Sequence, residues 1–135
     1  MKKYEILEHK ADLKIRAFGK TKEELFQNML LGMSESQKPE IKAKKKTERE
    51  IKIKSLDFPS LLVDFLSKIL YSSQIKQEIY NNVNFTKFTN TELKGKLLGQ
   101  KVERFNEDIK AVTYHGLEVK QNENGSWQAT VLFDV

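Results

Sequence analysis

Apolar and polar residues alternate over most of this chain, and only two segments depart from the alternation with the spacing of a helix. A period of two is typical of strands that bury one face. Near the N-terminus it predicts a strand through Tyr4 and Ile6 and a second strand that ends at the turn residue Gly19. The apolar positions of the second strand are Leu13, Ile15 and Ala17.

The first helix is predicted from a capping pattern followed by an apolar stripe. Thr21 and Glu24 have the spacing of a capping box, in which each residue satisfies a free backbone N–H of the first turn. Gly32 and Pro39 indicate where this helix ends. The stripe consists of Leu25, Phe26, Met29, Leu30 and Met33.

The second helix is predicted to start at a cap formed by Ser55 or Asp57, with Pro59 in its first turn. Tyr71 closes its apolar face, which consists of Leu61, Leu62, Phe65, Leu66, Ile69 and Leu70.

The other segments predict strands, so the element order is β-β-α-β-α-β-β-β-β. This order lacks the βαβ repeat of a parallel sheet. It favours an α+β fold in a single domain, residues 1–135, with two helices packed on a mostly antiparallel or mixed sheet. The remaining strands are predicted over residues 41–56 (one long strand or a hairpin), over residues 77–102 with a turn at Asn90-Thr91, and over residues 109–119 and 127–135 with a hairpin turn at Asn124-Gly125.

Composition narrows the class of protein. The chain has 135 residues, a typical domain length, and its eight Phe, four Tyr and one Trp are enough to build a core. It has no cysteine, which excludes a disulfide scaffold and thiolate ligands. No apolar run approaches the roughly 20 residues of a membrane span, and the first residues lack a signal-peptide pattern. We therefore expect a cytoplasmic protein without a membrane partner.

The positive charge of this chain, with a net value of +5, is concentrated in a lysine-rich segment that runs from Lys38 to Lys54. Such a run is able to bind phosphate backbones. Lysines also protect a sheet edge against pairing with another chain. We favour the edge strand because no aromatic residues alternate with the lysines to stack on bases.

Acidic residues near both ends of the chain form the candidate metal site. Asp134 stands beside the carboxylate of Val135, and Asp12 precedes the second strand. If the two terminal strands meet, these oxygen atoms suit a hard divalent cation such as Ca²⁺ or Mg²⁺. The alternative is that the chain ends fray and their charges are solvated.

Other candidates for chemistry are few. Two histidines, His9 and His115, without cysteine do not favour a zinc site. No glycine-rich phosphate loop is present, which argues against a nucleotide-binding enzyme. Lys110 stands in an apolar stretch, where it either contacts a phosphate, neutralises the acids or faces solvent. We interpret Tyr114 and His115 as core or rim residues, and Gly116 as a bulge.

Five blocks in this order resemble the archease family and together span nearly the whole chain. They are residues 8–12 (Glu-His-Lys-Ala-Asp), residues 17–21 with 24–26, residues 61–66, residues 109–117 (Ile-Lys-Ala-Val-Thr-Tyr-His-Gly-Leu) and residues 133–135 (Phe-Asp-Val).

The resemblance implies the small α+β fold of that family and a protein cofactor rather than an enzyme. The expected partner is a GTP-dependent RNA ligase of the RtcB type, with RNA contacted at most indirectly. The cofactor would promote guanylylation of the ligase histidine and multiple turnover in tRNA splicing and RNA repair. The family's metal ligands match Asp12, Asp134 and Val135, and its functional lysine matches Lys110. Ca²⁺ is the expected ion, with Mg²⁺ and Mn²⁺ as alternatives.

Two residues depart from the family pattern. Glu8 and Lys10 stand where the family has Asp and Thr, and Lys10 adds a positive charge beside the proposed cation. Two other functions compete with the cofactor role. One is a basic RNA-binding module that acts through residues 38–54, and the other is a metal-dependent hydrolase that uses Asp12, His9 and His115.

Overall fold

The computed structural model describes residues 2–135, and it describes their side chains except those of His9, Ala43 and Lys44. In chain order the elements are the strands and helices β1 (Tyr4–His9), β2 (Asp12–Gly19), α1 (Lys22–Ser36), β3 (Pro39–Lys54), α2 (Phe58–Lys76), β4 (Glu78–Phe88), β5 (Glu92–Phe105), β6 (Ala111–Gln121) and β7 (Trp127–Asp134).

The strands form two antiparallel sheets. Sheet A has the order β1-β2-β7-β6, and sheet B has the order β3-β5-β4. The element order and the α+β class predicted from the sequence are confirmed. The division into two sheets is new, because alternation along a strand carries no information about which strands pair.

Both helices contact both sheets, so one continuous core joins all the elements. Helix α1 packs against β2 and β4, and α2 packs against β6, β4 and β3. Aromatic rings fill the centre of this core: the Phe26 ring lies 5.3 Å from that of Phe65 and 5.0 Å from that of Phe88. Trp127 is half-buried and packs edge-on against Phe58 at 5.7 Å. Among the described residues, no helix has the length and hydropathy needed to cross a membrane.

The helix starts agree with the sequence, and α1 ends at Ser36, between the two end signals Gly32 and Pro39. The Thr21 side chain accepts from the Glu24 N–H at 3.1 Å, and Asp57, not Ser55, caps α2 by accepting from the Ser60 N–H at 2.8 Å. Tyr71 closes the apolar face predicted for α2, and the helix itself continues to Lys76. The apolar stripe stops earlier than the helix because the last turn is exposed to solvent.

The lysine-rich segment is one long edge strand, β3, as favoured from the sequence. The opposite edge of sheet B belongs to β4, and α1 covers part of it. The Gln27 amide donates to the Asn81 carbonyl and accepts from the Val83 N–H, both at 2.8 Å, and the Ser34 hydroxyl donates to the Tyr80 carbonyl at 2.5 Å. Between Tyr80 and Val83, this edge is therefore closed to pairing with another chain.

Candidate functional site

The two acids predicted as metal ligands lie directly opposite each other at one end of sheet A. Strands β2 and β7 are antiparallel neighbours, and their register pairs Asp12 with Asp134. Directly opposed residues have Cβ atoms about 5 Å apart, and they project on the same face of the sheet. The condition on which the sequence favours a cation site, that strands near the two ends of the chain meet, is therefore fulfilled by β2 and β7.

Buried neighbours hold this acid pair, Asp12 and Asp134, in place. Leu13 is 1% exposed, and Phe133 opposite it is fully buried. Val135 is half-buried and packs against the core. The end of β7 is therefore anchored, because Phe133 is buried and Val135 packs against the core.

Lys110 lies beside the acid pair through backbone contacts. Its N–H donates to the Asp134 carbonyl at 2.7 Å, and the Gln74 amide donates to the Ile109 carbonyl at 2.7 Å. Ile109 is buried, whereas the Lys110 side chain is exposed. The predicted strand from residue 109 is wrong in its first two residues, because β6 begins at Ala111. Lys110 thus follows a buried anchor at the edge of the strand.

The acid pair has no cationic partner among the side chains that the structure describes. The nearby bases on β2 are engaged with other acids: Lys14 pairs with Glu8 and Arg16 with Glu5, each at 3.9 Å. Like charges directly opposite each other in a sheet destabilise it. This repulsion is therefore left for something outside the described side chains to relieve.

The atoms gathered here are of the type that hard cations prefer. Asp12 and Asp134 offer carboxylate oxygens, and the main chain of Val135 offers more, so the donor set suits Ca²⁺ or Mg²⁺. Within the described part of the chain, no three His, Asp or Glu side chains cluster around a common point. Cation binding at this site would thus depend on main-chain oxygens and water as well as on the two carboxylates.

In the part of the chain that the structure describes, no histidine side chain lies beside the acid pair. His115 is exposed on β6, four residues beyond Ala111, which is the residue opposite Asp134. That separation is about 13 Å along a strand. The His9 side chain lies outside the described residues. Gly116, with φ of 65°, lies in the predicted bulge, where the register of β6 and β7 shifts.

Sequence reasoning missed a buried ionic cluster on sheet B. Glu78 is fully buried, and its carboxylate accepts hydrogen bonds from Arg49 Nε at 2.9 Å and from Arg49 Nη2 at 2.6 Å. The Tyr80 hydroxyl donates to it at 2.5 Å, and the Lys101 amine lies at 3.2 Å. Arg49 holds the pKa of the Glu78 carboxyl down at about 2, and burial raises the pKa of Tyr80 to about 12. The alternation in Glu78-Ile79-Tyr80 gave no sign that a carboxylate points inward.

Comparison with known proteins gives a consistent result over the full length. The sequence model of a protein family, described as "Archease protein family (MTH1598/TM1083)", matches residues 4–135. Protein archease from Methanosarcina barkeri is 39% identical, over 99% of this chain and 97% of its own length. Protein archease from Pyrococcus abyssi is 31% identical over the whole of both chains.

Two solved structures have a similar fold. The solution structure of Methanobacterium thermoautotrophicum protein 1598 covers both chains entirely, with a TM-score of 0.69 and 26% identity. The crystal structure of a Thermotoga maritima archease, described as a possible chaperone, has a TM-score of 0.66 at 23% identity. It covers 96% of this chain and 94% of its own.

Proposed function

The chain belongs to the archease family, and from that premise we propose that it is a non-enzymatic protein cofactor of an RtcB-type GTP-dependent RNA ligase. In this role it promotes guanylylation of the ligase histidine and allows multiple turnover in tRNA splicing and RNA repair. We expect this activation of the ligase to take place in the cytoplasm. The observation that carries the proposal is the pairing of Asp12 with Asp134 beside Lys110 at one anchored end of sheet A.

The acid pair lies at the surface, with Asp134 exposed and Asp12 half-buried, on an anchored end of sheet A. Asp134 and Lys110 are exposed, while Phe133 and Ile109 beside them are buried. Charged groups fixed in this way on a surface are suited to enter the site of another protein, because little side-chain and backbone freedom is lost on docking. The proposal therefore places the chemistry in the ligase.

Asp12, Asp134 and the main-chain oxygens of Val135 would hold a divalent cation, Ca²⁺ by preference and Mg²⁺ or Mn²⁺ as alternatives. When bound, the ion neutralises the two carboxylates and fixes their positions. Lys110 then offers a positive charge to GTP phosphates, to RNA or to an acid of the ligase. Phosphoryl transfer depends mainly on positioning and charge stabilisation, so an accessory protein is able to speed it without doing chemistry itself.

The test is multiple-turnover RNA joining by the RtcB-type ligase of the same organism, with GTP and Mn²⁺ or Mg²⁺. The wild-type chain is expected to activate the ligase, and Asp134→Ala is expected not to. Glu123→Gln is the matched control, because Glu123 is an exposed acid in the turn at the opposite end of β7.

Circular dichroism and thermal unfolding of each variant separate loss of function from loss of fold. Full activation by a folded Asp134→Ala protein would overturn the role of the acid pair. A lack of activation by the folded wild-type chain would overturn the cofactor role itself.

A further inference from the structure

Three lysines lie side by side across the three strands of sheet B. The register pairs Lys52 of β3 with Lys94 of β5, and Lys94 with Lys87 of β4. All three are exposed on the outer face of the sheet. We call these residues, Lys52, Lys94 and Lys87, the lysine row. The sequence separates them by up to 42 positions, so a run of lysines in residues 38–54 reveals only one of them.

Edge protection does not account for the whole of the lysine row. It explains Lys52, because β3 is an edge strand. Lys94 is on the central strand β5, which has no free edge, so edge protection does not account for it. On β4, the contacts of Gln27 and Ser34 cover the edge only between Tyr80 and Val83. Solubility requires exposed charge, but it does not require like charges in register, which destabilise a sheet.

Two further lysines, Lys54 and Lys96, and two glutamates, Glu92 and Glu50, flank the lysine row. Lys54 lies opposite Glu92, which forms an ion pair with Lys87. The hydrogen bond from Lys87, with the charges of Lys54 and Lys94, lowers the pKa of the Glu92 carboxyl. Lys96 lies two residue pairs further along β5, opposite Glu50 of β3. A concavity of about 330 Å³ runs between these strands, lined in part by Lys52, Lys94 and Lys96.

We propose that the outer face of sheet B around the lysine row binds the phosphate backbone of double-stranded RNA. The inference goes beyond activation of the ligase through the acid pair, and only the choice of RNA over DNA rests on the proposed function. Three cations about 5 Å apart on adjacent strands match a polyanion with closely spaced charges. Binding would be independent of base sequence.

The chemistry of this face favours a duplex over other partners. Protein interfaces are depleted in lysine and enriched in aromatic anchors at their centre. The aromatic residues of β4, Tyr80, Phe85 and Phe88, all pack into or against the core, so they offer no platform for unstacked bases. A duplex hides its bases and presents phosphates, which lysines contact through charge alone.

The experiment measures binding of a fluorescent RNA duplex of unrelated sequence by anisotropy, between 50 and 200 mM salt. The wild-type chain is expected to bind with an affinity that falls steeply with salt. The triple variant Lys52→Gln/Lys87→Gln/Lys94→Gln should bind at least about tenfold more weakly at low salt, and its salt slope should fall by about three, since each lost phosphate contact contributes about 0.9.

A charge-matched control is Lys20→Gln/Lys68→Gln/Lys120→Gln, which removes three exposed lysines outside sheet B. This control should retain at least half of the wild-type affinity. An equal loss in the two triple variants would overturn the proposal, because net charge would then explain binding. Tighter binding of single-stranded poly-U, a DNA duplex or poly-glutamate than of the RNA duplex at the same salt would overturn it too.

The outcome is separable from the test of the proposed function, because no ligase is present in the binding assay. Asp134→Ala should bind the duplex as the wild-type chain does. A folded lysine-row variant that binds RNA normally would remove this inference and leave the cofactor role standing.

Discussion

Sheets A and B each hold carboxylates in positions where a negative charge is unfavourable. The two sheets differ in whether neighbouring side chains balance that charge. On sheet B, Glu78 is fully buried, but Arg49, Lys101 and Tyr80 surround it. On sheet A, Asp12 and Asp134 face each other, and no ion pair to either is formed within the described part of the chain.

The difference separates a carboxylate whose charge is balanced within the fold from two carboxylates whose charges are not. A buried carboxylate whose hydrogen bonds and charge are satisfied within the fold has no free group to offer a ligand. Two like charges that lie directly opposite each other in a sheet lower its stability unless a cation offsets them. The Glu78 carboxylate is therefore balanced by folding alone, whereas under the proposed function a bound cation balances the acid pair.

The largest expected effect is loss of cation binding on sheet A. Asp12→Asn/Asp134→Asn should weaken calcium binding by about 100-fold or more, because even outer residues of metal sites cost 10–100-fold. Isothermal titration calorimetry measures the change. Glu78→Gln serves as the control and should bind calcium as the wild-type chain does, and equal binding by the double Asn variant would contradict the site.

Calcium should also stabilise the folded chain. At a free concentration about 100 times its Kd, the free energy of unfolding should rise by about 2.7 kcal/mol, because the ion binds the folded state. Urea unfolding with calcium and with a chelator measures this difference. The Asp12→Asn/Asp134→Asn chain should show none, and stabilisation of that variant would indicate a site elsewhere.

On sheet B, Glu78→Gln should lower the free energy of unfolding by about 2 kcal/mol at pH 7, since it removes charged hydrogen bonds in the interior. The pKa of the Glu78 carboxyl is lowered from 4.5 to about 2. Its contribution is therefore complete above pH 4.5, and it is lost as the pH falls through 4.5 towards 2.

Urea unfolding at a series of pH values from 7 to 2 separates this contribution. The gap between wild type and Glu78→Gln should close as the pH falls. The exposed residue Glu48 on the same sheet gives the control Glu48→Gln, which should follow the wild-type curve. A gap that is constant with pH would mean that the Glu78 charge does not matter.

The smallest expected effect is a change in the free energy of unfolding whose sign tests the repulsion between Asp12 and Asp134. In the absence of divalent cations, Asp134→Asn should raise the free energy of unfolding by about 0.5 kcal/mol, because it removes the repulsion from Asp12. With saturating calcium the order should reverse. Differential scanning calorimetry under both conditions tests it, and a less stable Asn variant without calcium would show that the two carboxylates do not repel.

Sequence alone predicted much of the local structure of this protein. The period of the apolar pattern identified seven strands and two helices, and the caps at Thr21 and Asp57 located where the helices begin. These features depend on short-range contacts, which neighbouring residues determine. Asp12, Asp134 and Lys110 were also selected from sequence, although two of them stand near opposite ends of the chain.

Only the tertiary structure decided which strands pair and which side chains therefore meet. It divided the strands into two sheets, set Asp12 opposite Asp134, enclosed Glu78 between Arg49 and Lys101, and aligned the lysine row. Alternation along a strand gives the face of each residue but neither its partner strand nor its register. Those depend on long-range packing of both sheets against two helices, which no local pattern encodes.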